Sequence, residues 1–252
     1  MSTLRTALAL CAATTLAYAV QVQAEGKHWA YAGHGGPAEW GTLDPAFETC
    51  KLGKNQSPID VRGGKAADLP AIKFDYKPSA LKVIDNGHTI QVNYAPGSSI
   101  EVGGARYELL QFHFHKPSEE KIDGKTHAMV AHLVHKGADG KLAVVAVLLD
   151  KGGASPTIDA IWKNLPKEKE KEVTVASVTI DAAKLLPETR GYYAFQGSLT
   201  TPPCSEDVRW MVLKTPVKIA EGEIAAFGKI YPMNARPTQP LNGRPIDATR
   251  QP

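Results

Sequence analysis

Gln111-Phe112-His113-Phe114-His115 is the stretch on which the reading of this chain turns. Side chains alternate faces along a β-strand, so His113 and His115 share one face with Gln111, while Phe112 and Phe114 take the other. The phenylalanines then make a core face and the imidazoles a polar one. Two imidazoles two positions apart on a strand form part of a zinc site, which takes three protein ligands when it is catalytic. Gln111 can accept the second N–H of a ligand histidine through its amide oxygen. A lone His-x-His pair is more often two ordinary strand residues than a metal site. The weight comes from a second stretch, His127-Ala128-Met129-Val130-Ala131-His132-Leu133-Val134-His135. There His132 shares a face with Val130 and Val134. Antiparallel pairing with the first strand lets it complete a three-histidine set whose fourth position is open to water.

Between the two stretches lies Pro117-Ser118-Glu119-Glu120, a turn carrying two acids. Much later comes Ser198-Leu199-Thr200-Thr201-Pro202-Pro203-Cys204, where prolines restrict the backbone next to two threonine hydroxyls. Together with Gln56-Ser57-Pro58-Ile59-Asp60, Asn86-Gly87-His88 and residues 234–240, these pieces resemble the α-class carbonic anhydrases of the exported, bacterial type. They fall in the family's order and cover nearly the whole chain after the first two dozen residues.

The resemblance implies a mostly β fold: a large twisted, mainly antiparallel central sheet with a few short peripheral helices and a metal in a deep cone. It implies Zn2+ on His113, His115 and His132, and reversible hydration of carbon dioxide to bicarbonate and a proton by zinc-bound hydroxide. By the same resemblance Thr200 passes a proton to Glu119 and so orients the hydroxide. Val134, Val144, Leu199, Thr201 and Trp210 line the substrate pocket, and His88 exports the proton. Histidine's ordinary pKa near 6.5 suits that last task. His28, His34, His127 and His135 gain no role from it.

Two positions depart from the family's common form. That form has a glutamate two residues before the third ligand, where Val130 stands, and a histidine after the gate glutamate, where Glu120 stands. Loss of an acid that orients a ligand costs about 10–100-fold in metal affinity. If the turn folds back beside the His132 strand, Glu120 can supply the missing acid, so Gln111 and Glu120 are both expected to orient ligands.

The N-terminus starts Met1-Ser2-Thr3-Leu4-Arg5 and runs apolar from Ala7 to Val20 before Val22-Gln23-Ala24. A short basic start, an apolar centre shorter than the roughly 20 residues that span a bilayer, and a small-x-small end describe a secretory signal peptide over 1–24. The remaining 25–252 form one domain of 228 residues. Only Arg5 leaves with the signal among charged residues, so the net charge falls from +3 to +2. Neither that value nor any basic stripe argues for nucleic acid. No further apolar span follows, so no membrane span is expected in the mature chain. Cys50 and Cys204 remain of three cysteines, and two in an exported protein suggest one disulfide. The destination expected is a periplasm or the exterior, and the partners are small: carbon dioxide, bicarbonate and water.

Strand-like runs are expected at 72–76, 81–84, 89–94, 99–102, 107–115, 128–135, 142–149, 173–180, 192–195 and 208–213. Residues 142–149 are continuously apolar, as in a strand buried on both faces. Helical patterns are confined to 157–164 and 221–230. The aromatic N-terminal part with Trp29, Tyr31 and Trp40 reads as packed over the sheet. Two further functions compete with the enzyme: a non-catalytic binding protein on the same fold, and an exported zinc-storage protein. Neither needs the set of three histidines, Glu119 and Thr200 together with an apolar wall and a shuttle.

Overall fold

In a computed structural model, residues 28–250 are described, and the expected signal peptide at 1–24 lies outside them. A 13-stranded sheet organises the chain. Across it run Val173–Ile180, Ser79–Asp85, Ile90–Asn93, Ala105–His115, Met129–Gly137, Leu142–Lys151, Val208–Leu213, Tyr192–Gly197, Asp247–Thr249 and Lys65–Ala67. Most neighbours are antiparallel. Parallel pairing occurs where Leu142–Lys151 meets Val208–Leu213 and Val217–Ile219, and where Asp247–Thr249 meets Lys65–Ala67.

The period-two pattern divides the core. Phe112, Phe114, Leu133, Val145 and Val147 bury on one face. Val130, Val134, Val144, Ala146, Leu148 and Trp210 bury on the other. Leu142–Lys151 feeds both sides, which is why its run is unbroken in apolar residues. The helix Pro156–Trp162 starts where Ser155 accepts the Ile158 N–H and proline occupies the first turn. Glu221–Ile230 coincides with the second expected helix, and Glu223 accepts the Ala220 N–H at its start.

Short strands such as Asp60–Val61, Lys121–Ile122 and Asp247–Thr249 are additions to the sequence reading. Two or three residues are too few to display a period. The N-terminal aromatics form a cluster of their own: Trp40 packs with Cys50 and Cys204, and Trp29 and Tyr31 lie against them. No helix among the described residues is long and apolar enough to cross a membrane.

Candidate metal centre and cavity

Register brings the histidines together. His132 pairs directly with His113 across Met129–Gly137 and Ala105–His115, and Val130 pairs with His115. One ring nitrogen from each of His113, His115 and His132 lies within 4.8 Å of the others. The outward nitrogens are all occupied. His113 Nδ1 donates to Gln111 Oε1 at 2.8 Å, and His115 Nδ1 donates to the Asn234 carbonyl at 2.7 Å. His132 Nε2 donates to both oxygens of Glu120, at 3.0 and 3.1 Å. That leaves His113 Nε2, His115 Nε2 and His132 Nδ1 to converge. His115 Nε2 is buried without a partner.

This donor set fits zinc: three imidazoles, each with its tautomer set by a second hydrogen bond and its lone pair aimed inward. Burial, reinforced by His132, holds the His113 imidazole neutral down to about 3. Burial, with both other rings, also holds His115 far below its usual value. On His132 burial pushes down, yet the Glu120 carboxylate and then Glu119 turn the net shift upward.

Glu119 is fully buried beside the cluster. Its Oε1 accepts the Arg236 backbone N–H at 2.8 Å, while Oε2 has no hydrogen bond. Burial pushes Glu119 up to about 7, with Glu120 adding to that; His132, the Arg236 N–H and the neighbouring Thr200 hydroxyl pull the other way. Thr200 sits in the loop after Tyr192–Gly197. That loop is tied down by the Leu199 N–H bond to Ser205 and by Ser198, whose Oγ accepts the Ser57 N–H at 2.8 Å. Cys204 ends it, bonded to Cys50 with Cα atoms 5.0 Å apart.

A cavity of about 260 Å3 opens over the three histidines. Val134, Val144, Leu199, Thr201 and Trp210 line it, with Thr200. Trp210 is fixed by its Nε1 bond to the Ser198 carbonyl at 3.0 Å and meets the His132 ring edge-on. His88 lines the same cavity from the bend before Ile90–Asn93. Asn86 Oδ1 accepts the His88 and Thr89 N–H groups, and Gly87 takes φ +83°, the left-handed conformation that glycine adopts freely.

Several contributors escape the sequence reading. Asn234 accepts from His115, and its Nδ2 donates to the His88 and Phe114 carbonyls. Arg236 supplies the N–H to Glu119, while its guanidinium binds the Gln56 side chain and the Ser57 and Cys50 carbonyls. Trp29, Tyr31 and Gln91 also line the cavity. The stretch 234–240 carries the resemblance, but nothing local in it points at a ligand more than a hundred residues away. Two further histidines stand apart: His127 bonds Asp150, and His135 bonds Tyr76 and the Ala143 carbonyl behind the sheet.

The family model for eukaryotic-type carbonic anhydrase matches residues 35–250. A carbonic anhydrase of Nostoc sp. is 41% identical over 97% of this chain and 92% of its own length. The solved α-carbonic anhydrase of Thermovibrio ammonificans in complex with the inhibitor sulfanilamide superposes with a TM-score of 0.85 at 42% identity, covering 88% of this chain and 99% of that one. Dioscorin complexed with ascorbate has the same fold at 28% identity and a TM-score of 0.82, over 89% of this chain and 99% of its own. With three converging imidazoles, a matching family model and relatives above 40% identity along most of its length, the chain belongs to the eukaryotic-type, or α-class, carbonic anhydrase family.

Proposed function

We propose that the protein interconverts carbon dioxide and bicarbonate with zinc held by His113 Nε2, His115 Nε2 and His132 Nδ1. The observation that carries this reading is the convergence of three ring nitrogens, one from each histidine, whose opposite nitrogens are all hydrogen-bonded. Zinc on three neutral imidazoles lowers the pKa of a water to about 7 and so supplies a nucleophile at neutral pH.

The chain's own residues do the rest. Thr200 donates its hydroxyl proton to Glu119 Oε2, the oxygen that Arg236 leaves free. The Thr200 oxygen then presents a lone pair to the cavity and accepts only from an oxygen that still carries a proton, which fixes that oxygen's orientation. The Thr200 backbone N–H receives one oxygen of the substrate. Val134, Val144, Leu199 and Trp210 keep an apolar wall beside the metal, where carbon dioxide binds without competing water. His88, which lines the cavity, accepts the released proton and hands it to buffer. The Cys50–Cys204 bond and the 1–24 signal fit an exported enzyme acting in an oxidising compartment.

Zinc content and stopped-flow carbon dioxide hydration, measured on the same sample, test the reading. One zinc per chain with hydration that chelation abolishes is expected. Stoichiometric zinc without hydration favours a storage or binding protein instead.

A further inference from the structure

The three ligand histidines do not have equivalent partners. Gln111 offers His113 a neutral amide oxygen and Asn234 offers His115 a neutral carbonyl, but Glu120 offers His132 a carboxylate. Glu120 is 0% exposed. Leaving a buried charge without a partner is costly, and both Glu120 oxygens lie within 3.1 Å of the one His132 nitrogen. Its backbone is held as tightly. Ser118 Oγ donates to the Glu120 carbonyl at 2.8 Å and accepts the His127 N–H at 2.9 Å, and Lys121 N–H binds the Ile59 carbonyl.

Val130, two residues before His132 on the same strand face, is buried among apolar neighbours that include Ile59, Val61 and Leu148. An apolar side chain there cannot accept the His132 N–H. The acid therefore arrives from a neighbouring segment rather than from the ligand's own strand.

We propose that Glu120 is a positioning residue that orients His132 and strengthens it as a ligand, so that the two consecutive acids Glu119 and Glu120 serve the Thr200 hydroxyl and the third metal ligand respectively. This rests on the zinc reading above. A carboxylate on the far nitrogen makes an imidazole a stronger donor than a neutral acceptor does, and such partners are worth about 10–100-fold in metal affinity.

The test is zinc affinity by chelator competition, with thermal unfolding of the zinc-free proteins measured in parallel. Glu120→Gln keeps the size and an acceptor oxygen while removing the charge. It is expected to unfold cooperatively and to bind zinc about 10-fold or more weaker than the parent. The double variant Glu120→Ala with Val130→Glu, which moves the acid onto the ligand's strand, is expected to return to within about threefold of the parent, well inside the range such a partner is worth. Parental affinity in Glu120→Gln overturns the proposal. A double variant that binds no tighter than Glu120→Gln overturns it as well. His113→Ala separates this from the underlying reading: if that variant keeps stoichiometric zinc, the three-histidine assignment is what fails.

Discussion

Trp29 lies flat on His88, with ring centroids 3.7 Å apart and planes 8° from parallel. His28 approaches the same imidazole at 5.8 Å. The proposed shuttle is therefore a half-buried ring packed on the N-terminal segment, not a free surface histidine. Burial first, then the nearby His28, lower its pKa, so it stays neutral and able to accept a proton to lower pH than a free histidine. His88→Ala is expected to reduce kcat about tenfold or more while sparing kcat/KM, since general acid–base groups contribute up to 10²–10⁴-fold and buffer carries part of this transfer. Added imidazole restores part of the rate. In the parent, the kcat profile should break below pH 6.5. An unchanged kcat in weak buffer removes His88 from the pathway.

Thr200→Ala is expected to keep zinc and lose roughly 10²-fold in kcat/KM, the scale for removing one oriented group at a charged centre. Steady-state hydration with metal analysis on the same sample decides it. Parental kinetics refute the gate.

Alanine at His113, His115 or His132 should remove stoichiometric zinc and hydration together, because no fourth protein ligand stands ready among the described residues. Full activity in any single variant refutes the assignment.

Reducing Cys50–Cys204 opens a link between positions 154 apart. In the chain-entropy model closure of such a loop is worth about 5 kcal/mol. Reduced protein should unfold at clearly lower denaturant and lose activity first, because the bond anchors the loop that holds Thr200. Two free thiols in protein from an oxidising compartment would contradict the pairing.

His135 gives a stability prediction. It is buried behind the sheet, its Nδ1 donating to the Ala143 carbonyl and its Nε2 accepting from Tyr76 at 2.8 Å. Burial lowers its pKa to about 4. Between that value and the usual 6.5 the unfolded chain binds the proton and the folded one does not, so stability falls as pH drops through this window. The contribution amounts to ~3 kcal/mol. Urea unfolding at pH 7 and 4.5 should show a smaller acid loss in His135→Asn than in the parent, and an equal loss assigns acid sensitivity elsewhere.

The alternation in Gln111 to His115 announces both a strand and a ligand pair because period-two geometry is local. His132 follows from the same rule. Asn234 and Arg236 are different: they reach His115 and Glu119 through main-chain atoms, which every residue type possesses, so composition carries no trace of them. The Trp29–His88 stack is invisible for another reason, since it joins an irregular segment to a turn and obeys no period. Glu120 is an intermediate case. A missing acid at 130 and an extra one at 120 suggest an exchange, but only the fold puts them beside the same imidazole.

The strand Asp247–Thr249 lies between Tyr192–Gly197 and Lys65–Ala67, both made earlier in the chain. Synthesis runs from the N-terminus, so both neighbours are made well before the strand that joins them, and among the described residues Lys65–Ala67 pairs with no other strand. A nascent chain cannot complete this part of the sheet until Thr249 has left the ribosome. Lys65–Ala67, among the first strands made, is therefore among the last to be bound into the sheet.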